Sequence, residues 1–441
     1  MRHLLRAFIL LAVSFLAAVC GAAEPVLQSI ELDSGDTLVF CGDSITHQCL
    51  YTQYVEDFFY TRYPERKIRF HNAGIGGDRA FDALKRFDRD IAAYEPKYVT
   101  ILLGMNDGSY VDFDRAIFDK YEQDMTELLD KLQGIGATAI VMTPTMFDQV
   151  NHRVRMEDPN SRGRIPERSP YYNAVLAFYG TWLREVAFQR GLGFVNMWGP
   201  LNDISLIERK TDPTFTLIPD SIHPAEAGQA VMAVAIVNDL TPERRSVSRI
   251  AANRSGDQWN VTARGGSIEN VEGDSEGLSF VFTAESLPWV LPPEASLGFD
   301  LTKAPHRLSN EQLQVAGLKP GKYEVRIDGT SIGPAASHVK LGFKLELQSN
   351  PGTPQYQQAL EVALLNKDRN DKAVHPLRDL WRKPKSVWRA ETIDQEKLKA
   401  TLAEIEPTIQ ELEALAAEYE AKIYATAKPV PRKYEIVRVS D

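Results

Sequence analysis

The chain has 441 residues, of which 44% are hydrophobic and 25% charged, with a formal net charge of -10. This is the composition of an ordinary globular protein with room for two or three domains and a large core. The acidic balance and the lack of a long basic block argue against nucleic acid or an anionic membrane surface as the main partner and favour small neutral or cationic ones.

The first 23 residues read as a secretory signal: Arg2 and Arg6 precede an apolar stretch from Ala7 to Val19, and small residues lead to a cleavage point after Ala23. The apolar run is short for spanning a bilayer. Val19 also stands where a lipid-attachment sequence would place a small residue before Cys20. No second segment is long enough to span, so the mature protein is expected to be secreted or periplasmic, without an integral membrane segment. Cleavage leaves Cys41 and Cys49. One ends a strand and the other opens a helix, which favours separate buried thiols over a disulfide.

From Thr37 to about Leu240, short β-rich runs alternate with longer helical patterns. "TLVFC", "KIRFHN", "KYVTILLG", "ATAIVMT" and "GFVNM" are the strands, separated by helices such as "CLYTQYVEDFFYTRYP" and "RAFDALKRFDRDIAAY". The expected fold over residues 24–245 is therefore a three-layer α/β/α, doubly wound domain with a mostly parallel five-stranded sheet. Beyond it, "GLSFVFTAE" and "GKYEVRIDG" alternate apolar and polar positions and, with "WNVTARGG", "LGFDLT" and "HVKLGFKLEL", predict a small β-sandwich-like module over residues 246–350. Residues 351–428 read as a helical hairpin, opened by Thr353 and Pro354 and kinked at Pro407. Residues 429–441 form a C-terminal strand or tail.

Ligands of open α/β sheets gather at the carboxyl ends of the strands. Four polar signatures fall there: Gly42-Asp43-Ser44 after the first strand, "NAGIGGD" after the second, "GMNDG" after the third, and "IPDSIHPAEAG" before the last helix. Each alone is an ordinary loop or turn. Their order on four sheet-top loops carries the weight. A serine hydroxyl is a weak nucleophile that needs a base within reach, which His223 supplies. Asp220, three residues earlier, can hold that imidazole in the right tautomer. The oxyanion formed on attack needs donors already in place, and the amides of Ser44 and Gly77 with the side chain of Asn106 are the candidates.

These motifs resemble the SGNH branch of the GDSL hydrolases, over roughly Leu38 to Leu240. The four naming residues match Ser44, Gly77, Asn106 and His223, and the accompanying motifs match Gly42, Asp43, Asp78, Gly104, Asp107 and Asp220. The resemblance implies a serine esterase working through an acyl-enzyme, and the family also contains lipases, lysophospholipases and thioesterases. Transfer of the acyl group to a sugar hydroxyl, or a non-catalytic glycan-binding relative, are the alternatives.

Other candidates have blander readings. His47 and His71 read as hydrogen-bonding core residues, and His152 as a surface residue in a long irregular loop. No histidine pair or Cys-x-x-Cys has zinc-ligand spacing, so no metal and no cofactor are expected. The run Asp78, Asp82, Asp88 and Asp90 reads as a solvated helix face. The loop after the fourth strand is long enough to fold over the sheet top and carries Arg153, Arg155, Arg162, Arg164 and Arg168. Asp43, Arg153 and Arg155 are the candidates to face substrate, the arginines suiting an acidic saccharide; the plainer reading of the loop is a surface segment whose arginines pair with Glu157, Asp158 and Glu167. With no lipid-like apolar lid segment, the substrate expected is a small-molecule or polysaccharide ester of a short, acetyl-sized acid.

Overall fold

In a computed structural model of the chain, the structure describes residues 25–161, 164–241, 246–390 and 392–439. The segment read as a secretory signal, and Arg162, lie outside the described residues. Strands β1 (Thr37–Gly42), β2 (Arg69–Gly74), β3 (Tyr98–Leu102), β4 (Thr138–Met142) and β5 (Gly193–Val195) form one sheet in the order β2-β1-β3-β4-β5, parallel throughout. All six positions of β1 are buried, as expected of a strand covered on both faces. The covering helices are α1 (Ser44–His47), α2 (Leu50–Arg62), α3 (Ala80–Asp90), α4 (Arg115–Gly134), α5 (Gln149–Glu157), α6 (Tyr172–Arg190), α7 (Trp198–Glu208) and α8 (Glu226–Leu240). Phe40, Tyr51, Phe58 and Ile236 fill one side of the sheet, and Val39, Ile101, Met125 and Leu176 the other. The doubly wound three-layer expectation holds. Because β2 and β3 flank β1 on opposite sides, the carboxyl end of β1 opens at the topological switch point.

Two further sheets follow, built from β6 (Ser246–Ser255), β7 (Gln258–Arg264), β8 (Gly266–Gly273), β9 (Gly277–Ala284), β10 (Asn310–Ala316), β11 (Lys322–Ile327) and β12 (Arg432–Val439). One sheet runs β10-β6-β7, with β6 and β10 parallel; the other runs β11-β12-β9-β8 and is antiparallel. Ile250, Leu313 and Val315 from the first meet Phe280, Tyr323, Tyr434 and Ile436 from the second. Two segments read as strands are helical instead: α9 (Ser296–Leu301) holds "LGFDL" and α10 (His338–Phe343) holds "HVKLGF". Short apolar runs fit either period. In α9 tertiary packing decides, because Phe299 meets the buried Trp289 edge-on at 4.9 Å.

The C-terminal helices α11 (Pro354–Arg369), α12 (His375–Arg382), α13 (Lys385–Trp388) and α14 (Gln395–Ala427) pack against the first domain, and α14 continues through Pro407. No helix among the described residues is long and apolar enough to cross a membrane. Helix α2 has hardly any solvent face, and its Glu56 and Asp57 are as buried as Phe58. Arg369 of α11 pairs with Glu56 at 3.0 Å, and Asn366 donates to Asp57 at 2.9 Å. Burial raises the pKa of both carboxyls; Arg369 opposes it at Glu56 and the Asn366 hydrogen bond opposes it at Asp57. Trp289 closes the other side by donating to the Tyr54 carbonyl at 3.0 Å.

Arg369→Met should therefore leave Glu56 buried without its partner and cost about 3–5 kcal/mol, read as a lowered Tm in thermal unfolding. Adding Glu56→Gln should recover at least half of that loss. A double variant no more stable than the single one would show that the pair is not what holds α11 on α2.

Candidate active site

The site assembles from loops that leave the sheet at one end. Asp43 caps α1, its Oδ1 accepting from the Ile45 amide at 2.9 Å, and so turns the chain to present Ser44 half-buried at the start of that helix. Ser44 Oγ lies 2.7 Å from His223 Nε2, and His223 Nδ1 lies 2.5 Å from Asp220 Oδ2. This geometry fixes the tautomer: Nδ1 carries its proton toward the carboxylate and the Nε2 lone pair faces the hydroxyl. Ser221 takes a left-handed φ of +79°, which lets Asp220 Oδ1 accept from the amides of Ile222 at 2.9 Å and His223 at 2.7 Å. Burial works to raise the Asp220 pKa, but these hydrogen bonds prevail and hold it at about 2. Burial likewise opposes charge on His223, yet the Asp220 contact outweighs it and raises the imidazole above its ordinary 6.5.

The acid loop is clamped by the long segment after β4. There α5 replaces the irregular loop expected, and His152, expected at the surface, is 4% exposed against Phe147. Asn151 donates to the carbonyls of Ile218 at 2.9 Å and Pro219 at 2.8 Å, and Arg155 donates to the Asp220 carbonyl. Arg155 thus shapes the loop that carries Asp220, while Arg153 is exposed on α5. Arg168 lies 3.8 Å over the Tyr110 ring.

On the other side of Ser44, Gly77 adopts φ +72°, a conformation that disfavours any side chain. Among the described residues neither its amide nor that of Ser44 has a hydrogen-bond partner. Asn106 Nδ2 donates to the Asp78 carbonyl at 3.0 Å and to Asp43 Oδ2 at 3.3 Å, while its Oδ1 accepts from Tyr110 at 3.0 Å. Asp43, 1% exposed, spends one oxygen on the α1 cap and the other on Asn106. That corrects its expected role as a substrate contact. Burial pushes its pKa up to about 7. Asp107, the acid after Asn106, accepts from the Ala80 amide at 2.9 Å and so seats α3.

The expected solvated acid face is also corrected. Asp78, Asp82 and Asp90 are buried; of the four only Asp88 is exposed. Arg86 pairs with Asp78 at 2.8 Å and Asp90 at 2.6 Å, and Lys385 pairs with Asp78 at 2.7 Å. Arg378 and Arg389 reach Asp90 and Asp82. These cations were missed in the sequence; the stripe Asp82, Arg86, Asp90 at four-residue spacing was a signal for Arg86 alone. Among the described residues His47, His375 and Asp379 form the one group with donor atoms close enough for a metal, all within 4.8 Å. Yet His47 Nδ1 accepts from the Gly76 amide at 3.3 Å, so Nε2 carries the proton and donates to Asp379 at 3.2 Å. The nitrogen that would face a cation is the protonated one, and the group is a hydrogen-bonded His47–Asp379 pair with His375 beside it at 3.7 Å from the carboxylate.

The chain is similar to known proteins in agreement with this geometry. Residues 40–231 match the model of the GDSL-like lipase/acylhydrolase family. An acetylxylan esterase of Geobacillus stearothermophilus is 25% identical over 233 residues, covering 48% of this chain and 96% of that protein. A solved structure of that esterase covers 48% of this chain and 97% of its own, with a TM-score of 0.38. The structure of a gut microbial diltiazem-metabolizing enzyme, 25% identical, covers 94% of this chain and 100% of its own with a TM-score of 0.77, so the likeness extends through the C-terminal sheets and helices. Residues 40–231 are thus a GDSL/SGNH hydrolase domain, of the serine hydrolases of ester bonds.

Proposed function

We propose that the protein is an exported esterase that removes short acyl groups, acetyl above all, from carbohydrate, with Ser44 as nucleophile, His223 as general base and acid, and Asp220 as its orienting carboxylate. The observation that carries this reading is the unbroken relay from Ser44 through His223 to Asp220, at 2.7 and 2.5 Å, beside two unpartnered amides. His223 Nε2 takes the Ser44 proton as Oγ attacks the ester carbonyl. The resulting oxyanion is met by the amides of Ser44 and Gly77 and by Asn106, whose longer bond to Asp43 is the one to yield. The imidazolium then protonates the leaving alcohol, and a second cycle with water releases the acid and frees the serine. The similarity to an acetylxylan esterase supports the acetyl and carbohydrate assignment. The leader-like residues 1–23 support export.

The direct test is a series of p-nitrophenyl esters of rising chain length, run beside acetylated xylan. Acetyl should exceed octanoyl by at least ~10-fold in kcat/KM, about 1.4 kcal/mol of transition-state preference. A profile peaking at eight carbons or beyond overturns the acetylesterase reading. Ser44→Ala should lower kcat by ~10⁴-fold or more.

The pH profile gives a second check. The base must be neutral, and the Asp220 contact raises the His223 pKa, so kcat/KM should fall on the acid side with a midpoint above 6.5. Asp220→Asn should move that midpoint down while lowering the plateau. An acid limb unmoved by the substitution would mean that another group titrates.

A further inference from the structure

The end of β2 and the loop that leaves it hold three glycines in four residues, Gly74, Gly76 and Gly77. Such a backbone has little stiffness of its own, yet an oxyanion donor contributes only if it is fixed before charge develops. The loop's amides are held from within the first domain: Gly74 by Asn72 at 2.9 Å, Ile75 by the Gly42 carbonyl at 3.1 Å, Gly76 by His47, and Asp78 by the Ile75 carbonyl at 3.1 Å. The Gly77 amide is left over. The carbonyls are held from the C-terminal helices. Arg378 donates to Gly74 at 3.1 Å, Lys385 to Gly76 at 2.6 Å, and Arg389 to Gly77 at 2.8 Å.

One of these contacts differs in kind from the other two. The Gly76 carbonyl and the Gly77 amide belong to a single peptide group, planar and trans, so fixing the oxygen fixes the direction of the opposite N–H. The donor on that oxygen is an ammonium, 8% exposed and paired with Asp78 at 2.7 Å. A cation on the oxygen draws electron density from the amide and strengthens its N–H as a donor, as in any chain of polarised hydrogen bonds. Arg389 holds the next peptide, but the amide of that group is Asp78's and is already spent on Ile75.

We infer that Lys385, from the C-terminal helices, is a positioning residue of the hydrolase: it orients and polarises the Gly76–Gly77 peptide whose N–H receives the oxyanion. This rests on the assignment of Gly77 as an oxyanion donor made above. It gives the C-terminal half a part in the chemistry without any contact to substrate.

The experiment compares Lys385→Met, Lys385→Arg and Arg389→Met in the full chain, reading kcat and KM on p-nitrophenyl acetate, Tm, and the Ki of an arylboronic acid, which adds to the serine as a tetrahedral anion. Lys385→Met should lower kcat by ~10- to 100-fold with KM within ~3-fold, somewhat less than deletion of a whole oxyanion donor. The boronic acid Ki should rise in parallel, and Lys385→Arg should restore most of both. Arg389→Met, which also removes one charge and one loop bond, should lose at least ~5-fold less kcat. Should Lys385→Met show no folding transition, Lys385→Gln carries the same comparison. Equal losses in Lys385→Met and Arg389→Met, or an unchanged Ki in Lys385→Met, overturn the inference alone. A boronic acid that fails to inhibit the unaltered enzyme overturns the acyl-enzyme reading and the inference with it.

Discussion

Three carboxylates buried under one loop set the terms for the rest of the molecule. Asp78, Asp82 and Asp90 are each 1% exposed or less, and a buried carboxylate without a counter-charge is among the costliest features a fold can carry. Arg86 on the same helix serves two of them, and the remaining positive charge comes from Arg378, Lys385 and Arg389, some three hundred residues along the chain. The Asp90 carboxyl shows the outcome. Burial alone would raise its pKa, but Arg378, His71 and Arg86 hold it well below the usual carboxylate range. The first domain is therefore not electrically complete, and the helices that complete it are the ones that grip the oxyanion loop.

The two halves of the proposed catalytic apparatus are braced from different directions. On the acid side, α5 grips the loop of Asp220 through Asn151 and Arg155. On the oxyanion side, α12 and α13 grip residues 74–77 from beyond the β-module. Ser44 sits between them at the end of β1, where the strand order reverses. A hydrolase of this kind needs geometry held to fractions of an ångström at several loops that have little structure of their own. Here each loop is stiffened by a segment outside the minimal sheet-and-helix plan.

What was legible in the sequence is what local chemistry determines. Ser44, Gly77, Asn106, Asp220 and His223 stand in short motifs, and alternating β-rich and helical runs prescribe where their loops emerge. Most of the misreadings share a cause: they depended on a partner far away along the chain. Asp78, Asp82 and Asp90 looked solvated because, Arg86 apart, their cations lie at 378–389, and periodicity says nothing about residues so distant. Asp43 looked available for substrate because its commitment to Asn106 appears only when β1 and β3 lie side by side. His152 looked exposed because the loop around it is polar, yet it is a helix whose inner face meets Phe147.

The position of β12 has a consequence for the order of assembly. It lies between β9 and β11, hydrogen-bonded to both, although it follows every other described strand in the chain. A polypeptide emerging from its N-terminus builds β9 and β11 first and leaves each with an open edge facing a gap that only β12 can fill. The counter-charges for the loop of residues 74–77 also arrive late, so in a partly made chain that loop lacks the contacts that hold its carbonyls. A shortened product is left with exposed sheet edges and with buried carboxylates that lack their distant counter-charges.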